Sequence, residues 1–256
     1  MKRAVLNYIV IVVFAASAVF TSCDKNEEVE ENGKIQLLRA ITYGVGSYDK
    51  YEYDNQNRIT KISKYRNYDN LSVDGELVHT ETFTYIGSDF VKFVRDYGNG
   101  ITPPTEFSKN GDKIYITDKN SEGKITATYT MDLDKNGYPT KVESLGVECS
   151  SHTVAYQIQS SNMTKYSGVG TSCSGYPDKW NYEYKYDNKK SPFYYCNTPR
   201  WCMFSLYYEN GSKNNIIKAS YSDGSIKYEY DRAGFPTKRT IKHPHFDESV
   251  SEYIYQ

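Results

Sequence analysis

The stretch YEYDNQNRITKI (residues 51–62) places two tyrosines one residue apart, then an aspartate, a short polar run and an alternating segment. Side chains at positions i and i+2 of a strand point to the same face, so Tyr51 and Tyr53 are predicted to present both rings to one side of a sheet. The aspartate can accept hydrogen bonds from backbone amides two residues ahead, and Asn57 tolerates the positive φ that a tight turn needs. The stretch therefore predicts a β-hairpin.

The same plan recurs along the chain, and a self-similar unit decides the architecture. MDLDKNGYPTKVES (residues 131–144) and YEYDRAGFPTKRTI (residues 228–241) align with each other without gaps, with Gly137 and Gly234 at the turn position that Asn57 has in the first copy. Looser copies lie at residues 83–93, 107–116, 184–193 and 207–218. Each copy predicts an aromatic strand, a short turn and a returning strand.

The hairpins together predict the fold class. No stretch has a helical period with caps over three turns, and the strand-like runs number about fourteen to eighteen. A sheet of so many strands joined by short turns must curl, split into two sheets or close into a barrel. The last run, YIYQ (residues 253–256), has no hairpin partner, and neither has the first run, so we expect these two to pair and to remove both edges. The prediction is an all-β protein, an antiparallel meander of β-hairpin repeats that closes into a soluble β-barrel.

The N-terminal residues have the organisation of an export signal. Lys2 and Arg3 precede an apolar run that is too short for a comfortable spanning helix, and small residues precede Cys23. The segment resembles a lipobox, although Phe20 stands where leucine is usual. We interpret residues 1–22 as a lipoprotein signal peptide and Cys23 as the lipidated residue; an uncleaved anchor, or an ordinary signal with a chance cysteine, is the alternative.

The rest of the chain divides into a tether and one domain. Residues 23–34 are acidic and contain no aromatic side chain, which is typical of a flexible, solvated tether. Residues 35–256 are predicted to form a single β-barrel domain, a length that all-β folds often use for one domain.

Composition restricts the class of function. Without residues 1–22, which hold two of the 31 basic residues and none of the 32 acidic ones, the net charge is −3. No excess of basic charge is left to neutralise phosphates, so nucleic acid is not an expected partner. The chain has 27 tyrosines but only 38% hydrophobic residues, so tyrosine is expected to supply much of the buried surface.

Taken together, the Y-x-Y-D hairpin repeat, the lipobox and the acidic tether resemble a Bacteroidetes lipoprotein family of unknown function with a porin-like fold, built from YD-type hairpin repeats. The resemblance implies a β-barrel, and it implies no catalytic residues and no cofactor. The acidic residues after Cys23 also look like the signal that exports such lipoproteins to the cell surface. We therefore expect an outer-membrane lipoprotein at the cell surface, with the periplasmic face as the alternative.

The barrel itself is not expected to span the membrane. A spanning barrel needs a continuous apolar band that faces the lipid, whereas YEYKYDNKK (residues 182–190) carries charges on both faces. A lipid anchor would also be redundant on a spanning barrel. The expected contact with the membrane is through the lipid at Cys23 only.

Four cysteines remain besides Cys23. An even number in an exported chain is compatible with two disulfides, and four cysteines allow three pairings. Cys196 and Cys202 are close in sequence and are the favoured pair, which leaves Cys149 and Cys173 as the second. Reduced, buried thiols are the alternative.

One segment, residues 132–143, matches the spacing of a calcium-binding loop. The candidate ligands are Asp132, Asp134, Asn136 and Glu143. Pro139 and the strand-like flanks disagree with the helix–loop–helix context of that motif, and an acidic hairpin turn explains the same residues. The prediction is therefore a turn without a metal.

Aromatic side chains concentrate around two of the cysteines in SPFYYCNTPRWCMF (residues 191–204). Rings held on a rigid loop offer a large contact area at a low entropic cost and are typical of glycan and peptide recognition. The candidate ligand-binding residues are Phe193, Tyr194, Tyr195, Arg200 and Trp201. A buried plug that packs against one end of the barrel is the alternative.

These features favour a binding protein over an enzyme. The sequence has no Gly-x-Ser-x-Gly elbow and no local signature of a cysteine protease, so no enzymatic activity is predicted. We expect an envelope-anchored, non-catalytic binding module for a glycan, a peptide or a small hydrophobic ligand. The alternative is a structural or adhesive cell-surface protein that contacts other proteins through its tyrosine-rich faces.

Overall fold

The computed structural model describes residues 35–44, 46–67, 75–98, 103–145, 151–171 and 177–256. The predicted signal peptide, Cys23 and the tether lie outside these residues. The strands are β1 (Leu38–Thr42), β2 (Tyr48–Tyr53), β3 (Ile59–Arg66), β4 (Glu76–Ile86), β5 (Asp89–Asp96), β6 (Pro104–Asn110), β7 (Lys113–Lys119), β8 (Ile125–Leu133), β9 (Pro139–Leu145), β10 (Ser151–Gln159), β11 (Asn162–Thr171), β12 (Pro177–Tyr186), β13 (Ile216–Ala219), β14 (Ser225–Tyr230), β15 (Pro236–His243) and β16 (Phe246–Tyr255). The helix α1 (Arg200–Tyr207) lies between β12 and β13 and is followed by a 3₁₀ turn at Tyr208–Gly211.

The strands form one antiparallel sheet that returns on itself. Each strand pairs with its neighbour in sequence from β1 to β13 and from β14 to β16, and β1 also pairs with β16. In that pair Leu38 lies opposite Tyr255, and Thr42 lies opposite Glu252. The two edges of the sheet are β13 and β14, which residues 220–224 connect. The predicted fold class is confirmed as an antiparallel meander of sixteen strands in a nearly closed barrel.

The predicted pairing of the first and last strands is confirmed, but the sheet still has two edges, at β13 and β14. β16 also pairs with β15, so it is not the half hairpin that we expected. Because β1 and β16 pair with each other, the remaining edges fall at β13 and β14.

The repeated turn has the structure that its sequence predicts. The Asp134 carboxylate accepts hydrogen bonds from the backbone amides of Asn136 (2.8 Å) and Tyr138 (2.9 Å). Gly137 has a φ of 78°, and Asn57 at the matching position of the first copy has a φ of 62°. Glycine and asparagine tolerate this left-handed region better than other residues, so the turn selects them.

Two of the looser copies are not hairpins, and one turn of the same kind was not predicted. Residues 83–93 and 107–116 form hairpins, but residues 184–193 and 207–218 do not. Between β7 and β8, Asn120 Oδ1 accepts hydrogen bonds from two amides, at 3.0 and 2.9 Å, as the repeat aspartates do.

In place of the hairpin expected after β12, the chain leaves the sheet and enters the barrel. We call residues 187–215, which contain α1, the plug. The Trp201 ring lies 5.8 Å from that of Phe90, and the Phe193 ring lies 5.3 Å from that of Tyr51. Four of the eight residues of α1 are buried. A helix surrounded by a barrel wall needs no polar stripe, and α1 has only eight residues, so the sequence showed no helical period over three turns and this short helix was not predicted.

Hydrogen bonds fasten the plug to hairpin turns at one end of the barrel. The Asn197 amide donates to the Asn57 carbonyl (2.9 Å), and the Lys213 amide donates to the Ser161 carbonyl (3.0 Å). We call the end that holds the β2–β3 and β10–β11 turns the closed end. The opposite end, which holds the β1–β2 and β7–β8 turns, is the open end. No helix within the described residues is long and apolar enough to cross a bilayer.

Replacing Asp134 with alanine should destabilise the protein by about 1–2 kcal/mol, because two backbone amides lose their charged acceptor. Denaturant unfolding measures this change. Asp132→Ala is the matched control, since Asp132 lies on the surface, where water and salt screen its ion pair with Lys113 and leave it little effect on stability. Equal losses in the two variants would contradict the role of the turn.

Candidate ligand-binding cavity

The plug leaves space in the barrel toward the open end, where two neighbouring cavities lie. The larger has a volume of about 830 Å³ and is bounded by β1, β11–β16 and the plug. The smaller has a volume of about 610 Å³ and is bounded by β5–β12 and α1. Tyr166, Asp178 and Trp180 line both cavities, so the two spaces share part of one wall.

An aromatic wall lines the larger cavity; it consists of Tyr166, Trp180, Tyr182, Tyr184 and Tyr221. The Tyr166 and Tyr182 rings stack at 6.1 Å with an interplanar angle of 11°, and Trp180 lies 6.5 Å from Tyr166. Tyr221 meets Tyr182 edge-on at 5.2 Å and is 55% exposed. Because most of these rings are only half-buried, they offer apolar area to a ligand instead of completing a core.

The alternation of β12 builds this wall. Inward-facing Trp180, Tyr182 and Tyr184 alternate with exposed Lys179, Asn181, Glu183 and Lys185. The sequence predicted a charged outer face and a hairpin copy from residue 184 for this segment, and not a binding wall. The strict alternation in DKWNYEYKY was the signal that could have identified the wall.

Gly168 on β11 determines where the indole of Trp180 lies. The two residues are cross-strand partners. A Cβ atom on Gly168 would come within 2.2 Å of Trp180 Cζ2, so the indole lies directly over the glycine. The absence of a side chain at residue 168 therefore makes room for the ring beside Tyr166.

A buried charged cluster centred on Glu81 lies on the wall of β3–β5. The Arg95 Nε atom donates to Glu81 Oε1 at 3.0 Å, and Lys64 Nζ lies 3.4 Å from the same oxygen. The Tyr207 hydroxyl donates to Glu81 Oε2, and His79 Nε2 lies 3.3 Å from Oε1. The Glu81 side chain is fully buried, and Tyr207 borders the larger cavity, so the cluster fastens the end of α1 to the wall.

The partners of Glu81 keep it ionised. Burial alone raises the pKa of this carboxyl, but the Tyr207 hydrogen bond and the charges of Lys64 and Arg95 outweigh burial and hold the pKa below its usual value. A buried carboxylate with so many partners has a structural role.

A second cluster lies near the rim of the larger cavity. Arg66 Nη1 donates to Asp49 Oδ1 at 2.8 Å, and the Tyr43 hydroxyl donates to Asp49 Oδ2 at 3.1 Å. Burial raises the pKa of Tyr43 well above its usual value, and the charge and hydrogen bond of Asp49 raise it further. Tyr43 therefore stays protonated.

The structure places the predicted ligand-binding residues mostly away from the cavity walls. Phe193 and Trp201 are 2% and 5% exposed and belong to the core that the plug forms; Phe193 also borders the larger cavity. The Trp201 ring is thus not available as a surface platform. For these two residues the alternative of a buried plug describes the structure, because the barrel interior needs large apolar side chains.

The remaining predicted residues lie at the closed end. Tyr194 and Tyr195 are half-buried, and the ring of Tyr195 lies 5.7 Å from that of Phe235. The ammonium group of Lys190 lies 5.7 Å from the Tyr194 ring and 5.8 Å from the Tyr195 ring. Arg200 begins α1 and donates to the Tyr194 carbonyl at 3.4 Å. These side chains brace the plug against the neighbouring turns.

Cys196 and Cys202 are buried free thiols, so the predicted bond between them is not formed. The Cys196 sulfur has a hydrogen bond with Thr198, whereas Cys202 belongs to α1 and is fully buried. Burial raises the pKa of both thiols, which keeps them protonated. Cys149 and Cys173 lie outside the described residues.

The four candidate calcium ligands do not converge. Asp134 bonds turn amides, and Asp132 and Glu143 form ion pairs with Lys113 and Lys141. Asn136 donates its backbone amide within the turn. Among the described residues no group of three or more acidic, histidine or cysteine side chains is placed to hold a metal ion.

No family model and no curated protein matches the chain. Among solved structures, the chain is similar to a porin-like protein from Bacteroides uniformis ATCC 8492, with 12% identity and a TM-score of 0.41 over 86% of this chain and 98% of that one. It is also similar to a porin-like protein from Bacteroides vulgatus ATCC 8482, with 11% identity and a TM-score of 0.38 over 87% and 99% of the two chains.

Replacing Glu81 with glutamine should lower stability at about pH 6 by several kcal/mol, because Arg95 and Lys64 lose a buried counter-ion. The pKa of Glu81 is lowered in the folded protein, so the carboxylate stabilises the fold above its ordinary pKa. That contribution is lost as the pH falls through the lowered value. Urea unfolding should therefore show a deficit of the variant that is steady at about pH 6 and shrinks as the pH falls below the ordinary pKa of a glutamate carboxyl.

Glu106→Gln is the control for this experiment, since Glu106 pairs with Lys119 on the surface, where an ion pair contributes at most about 1 kcal/mol. A deficit of Glu81→Gln that stays constant with pH would contradict the assignment.

Proposed function

We propose that the protein is a non-catalytic binding module, tethered to the cell envelope by a lipid on Cys23, that holds its ligand against the aromatic wall. The observation that carries this proposal is the row of half-buried rings on a cavity of about 830 Å³. That volume lies in the range of about 300–1,000 Å³ typical of small-molecule sites. Exposed aromatic rings in a concave site are unfavourable without a ligand, and this favours binding over a purely structural role.

The state of the ionisable groups supports a role without catalysis. Glu81 is bonded to Arg95 and to the Tyr207 hydroxyl, and the lowered pKa that results keeps it ionised and not poised to exchange a proton near neutral pH. We propose no reaction for this site.

The direction of the repeat tyrosines favours this role over the adhesive alternative. Tyr51 packs on the plug, Tyr228 lines the larger cavity, and the Tyr53 hydroxyl donates to the Leu38 carbonyl. Rings that face inward give little contact area to a partner on the outer surface.

The outer face of the barrel supports a position in water. Exposed Lys227 and Glu229 on β14, with Glu183 and Lys185 on β12, place charges where a spanning barrel would face lipid. We place the module on the outer membrane at the cell surface, with the periplasmic face as the alternative.

The two tryptophans of the chain provide the test of ligand binding. In a Trp201→Phe variant the emission comes from Trp180 alone, and a bound glycan, peptide or hydrophobic probe should quench or shift it. Tyr221→Ala, which removes a ring that is 55% exposed, should weaken the binding about tenfold. In Trp180→Phe the buried Trp201 should not respond. No response to any of the three ligand classes would contradict the proposal.

Replacing Cys23 with alanine should release the protein from the membrane fraction, because the lipid is its proposed contact with the membrane. Ultracentrifugation followed by immunoblotting measures the distribution. Cys196→Ser should remain in the membrane fraction and is the control. Retention of the Cys23→Ala protein would instead favour an uncleaved signal anchor.

A further inference from the structure

We infer that the ligand is an oligosaccharide that spans both cavities, with Trp180 as the stacking platform between two subsites. This inference rests on the proposed function and deepens it. It depends on three features: the shape of the platform, the polar atoms around it and the continuation of the site into the smaller cavity.

The platform suits the flat apolar face of a sugar ring. The Trp180 indole lies over Gly168, and the Tyr166 and Tyr182 rings stack within 11° of parallel on the neighbouring strands. The C–H groups of a pyranose form an apolar face that packs on such rings, while its hydroxyls point sideways. The wall therefore offers the ligand stacking area and leaves the hydroxyls to be bound by other groups.

Two residues that border the cavity each have a buried polar atom that lacks a hydrogen-bond partner among the described residues. They are Ser191 Oγ, on a residue that is only 4% exposed, and Trp180 Nε1. Both residues border the larger cavity. Buried polar groups in proteins nearly always have partners. Sugar hydroxyls both donate and accept, so after a small side-chain rotation they can pair with the indole N–H and the serine hydroxyl; a purely hydrophobic ligand can pair with neither.

The smaller cavity continues the site with polar groups. Ser151 and Thr171 are hydrogen-bonded at 2.8 Å, and Thr105 bonds to Asp118 at 2.6 Å. His152 lies beside Tyr129 with ring centroids 5.6 Å apart. Hydroxyl, imidazole and carboxylate groups beside an aromatic ring suit a second sugar unit.

The shared wall determines the length of the ligand. Each cavity is itself of the size of a small-molecule site, about 300–1,000 Å³, and Trp180 borders both. One sugar unit would leave one of the two spaces unused. A chain of sugars that crosses the indole would contact both cavities, so affinity should increase with chain length.

The test is calorimetric titration of the purified protein with β-1,4-linked glucose and N-acetylglucosamine series, from monosaccharide to pentasaccharide. Affinity should rise with length and then level off once both cavities are filled. His152→Ala should remove the gain in affinity of the longer members and leave that of the monosaccharide unchanged. Tyr221→Ala should weaken all lengths, because it belongs to the wall of the larger cavity.

Two further variants separate recognition from folding. Ser191→Ala should be as stable as the parent or more so, because it removes an unpaired buried hydroxyl, yet it should bind sugars several-fold less tightly. Gly168→Ala should displace the indole, change the Trp180 emission and weaken binding about tenfold. Val169→Ala alters an exposed neighbour and should change neither.

The outcomes distinguish this inference from the proposed function. Equal affinity for every chain length, or a His152→Ala protein that binds like the parent, would overturn the two-subsite site and leave a single binding cavity. A Trp180 response to peptides or to hydrophobic probes, without a response to either sugar series, would overturn the carbohydrate assignment alone. No response to any of them would overturn both proposals.

Discussion

Sixteen strands enclose a wider interior than their own side chains can fill, since a barrel of about eight strands is already the size that side chains just fill. In this chain the plug fills the part of the interior that the side chains of the strands leave empty. Inward-facing Ile59 and Met131 are fully buried in the core that includes the plug residues 193, 196, 201, 202, 203 and 204. A segment that leaves the sheet after β12 and rejoins it at β13 thus provides the core that a meander of hairpins lacks. Toward the open end, the inner face of the barrel borders the two cavities instead of the plug.

The wide interior of the barrel also explains what the charged cluster centred on Glu81 does. Apolar packing has little directional preference, so it does not by itself fix how deeply a helix sits in a barrel. The hydrogen bond from Tyr207 to Glu81 does, because a buried carboxylate that loses a partner is costly. Lys64 and Arg95 keep Glu81 ionised, and so keep it a strong acceptor. Since Tyr207 also borders the larger cavity, the bond that holds α1 in place also sets the floor of the candidate site.

The parts of the fold that could be predicted are those that depend on residues close together in the sequence. Asp134 and Gly137 define a turn within five residues, and a meander follows from repeating it. The plug could be predicted only as an alternative for residues 191–204. Its start and its helix could not be predicted, because residues 184–187 read YKYD like a hairpin copy, and a helix buried on several sides has no amphipathic period. The candidate site could be predicted in part, because the alternation of Trp180 and Tyr182 with polar residues is visible in the sequence. The place of the indole over Gly168 depends on the register of β11 and β12, which no local pattern states.

The two ends of the barrel are under different constraints, which explains why the repeat and the candidate site lie at opposite ends. At the closed end, the connections between strands that form hairpins are two to five residues long, and carbonyls of the β2–β3, β10–β11 and β14–β15 turns accept hydrogen bonds from amides of the plug. A change in the length of one of these turns would disturb its hydrogen bonds with the plug. The candidate site lies toward the open end, away from these hydrogen bonds. Contacts with a ligand can therefore vary there, as they do on loops above a rigid scaffold, without altering the hydrogen bonds that hold the plug at the closed end.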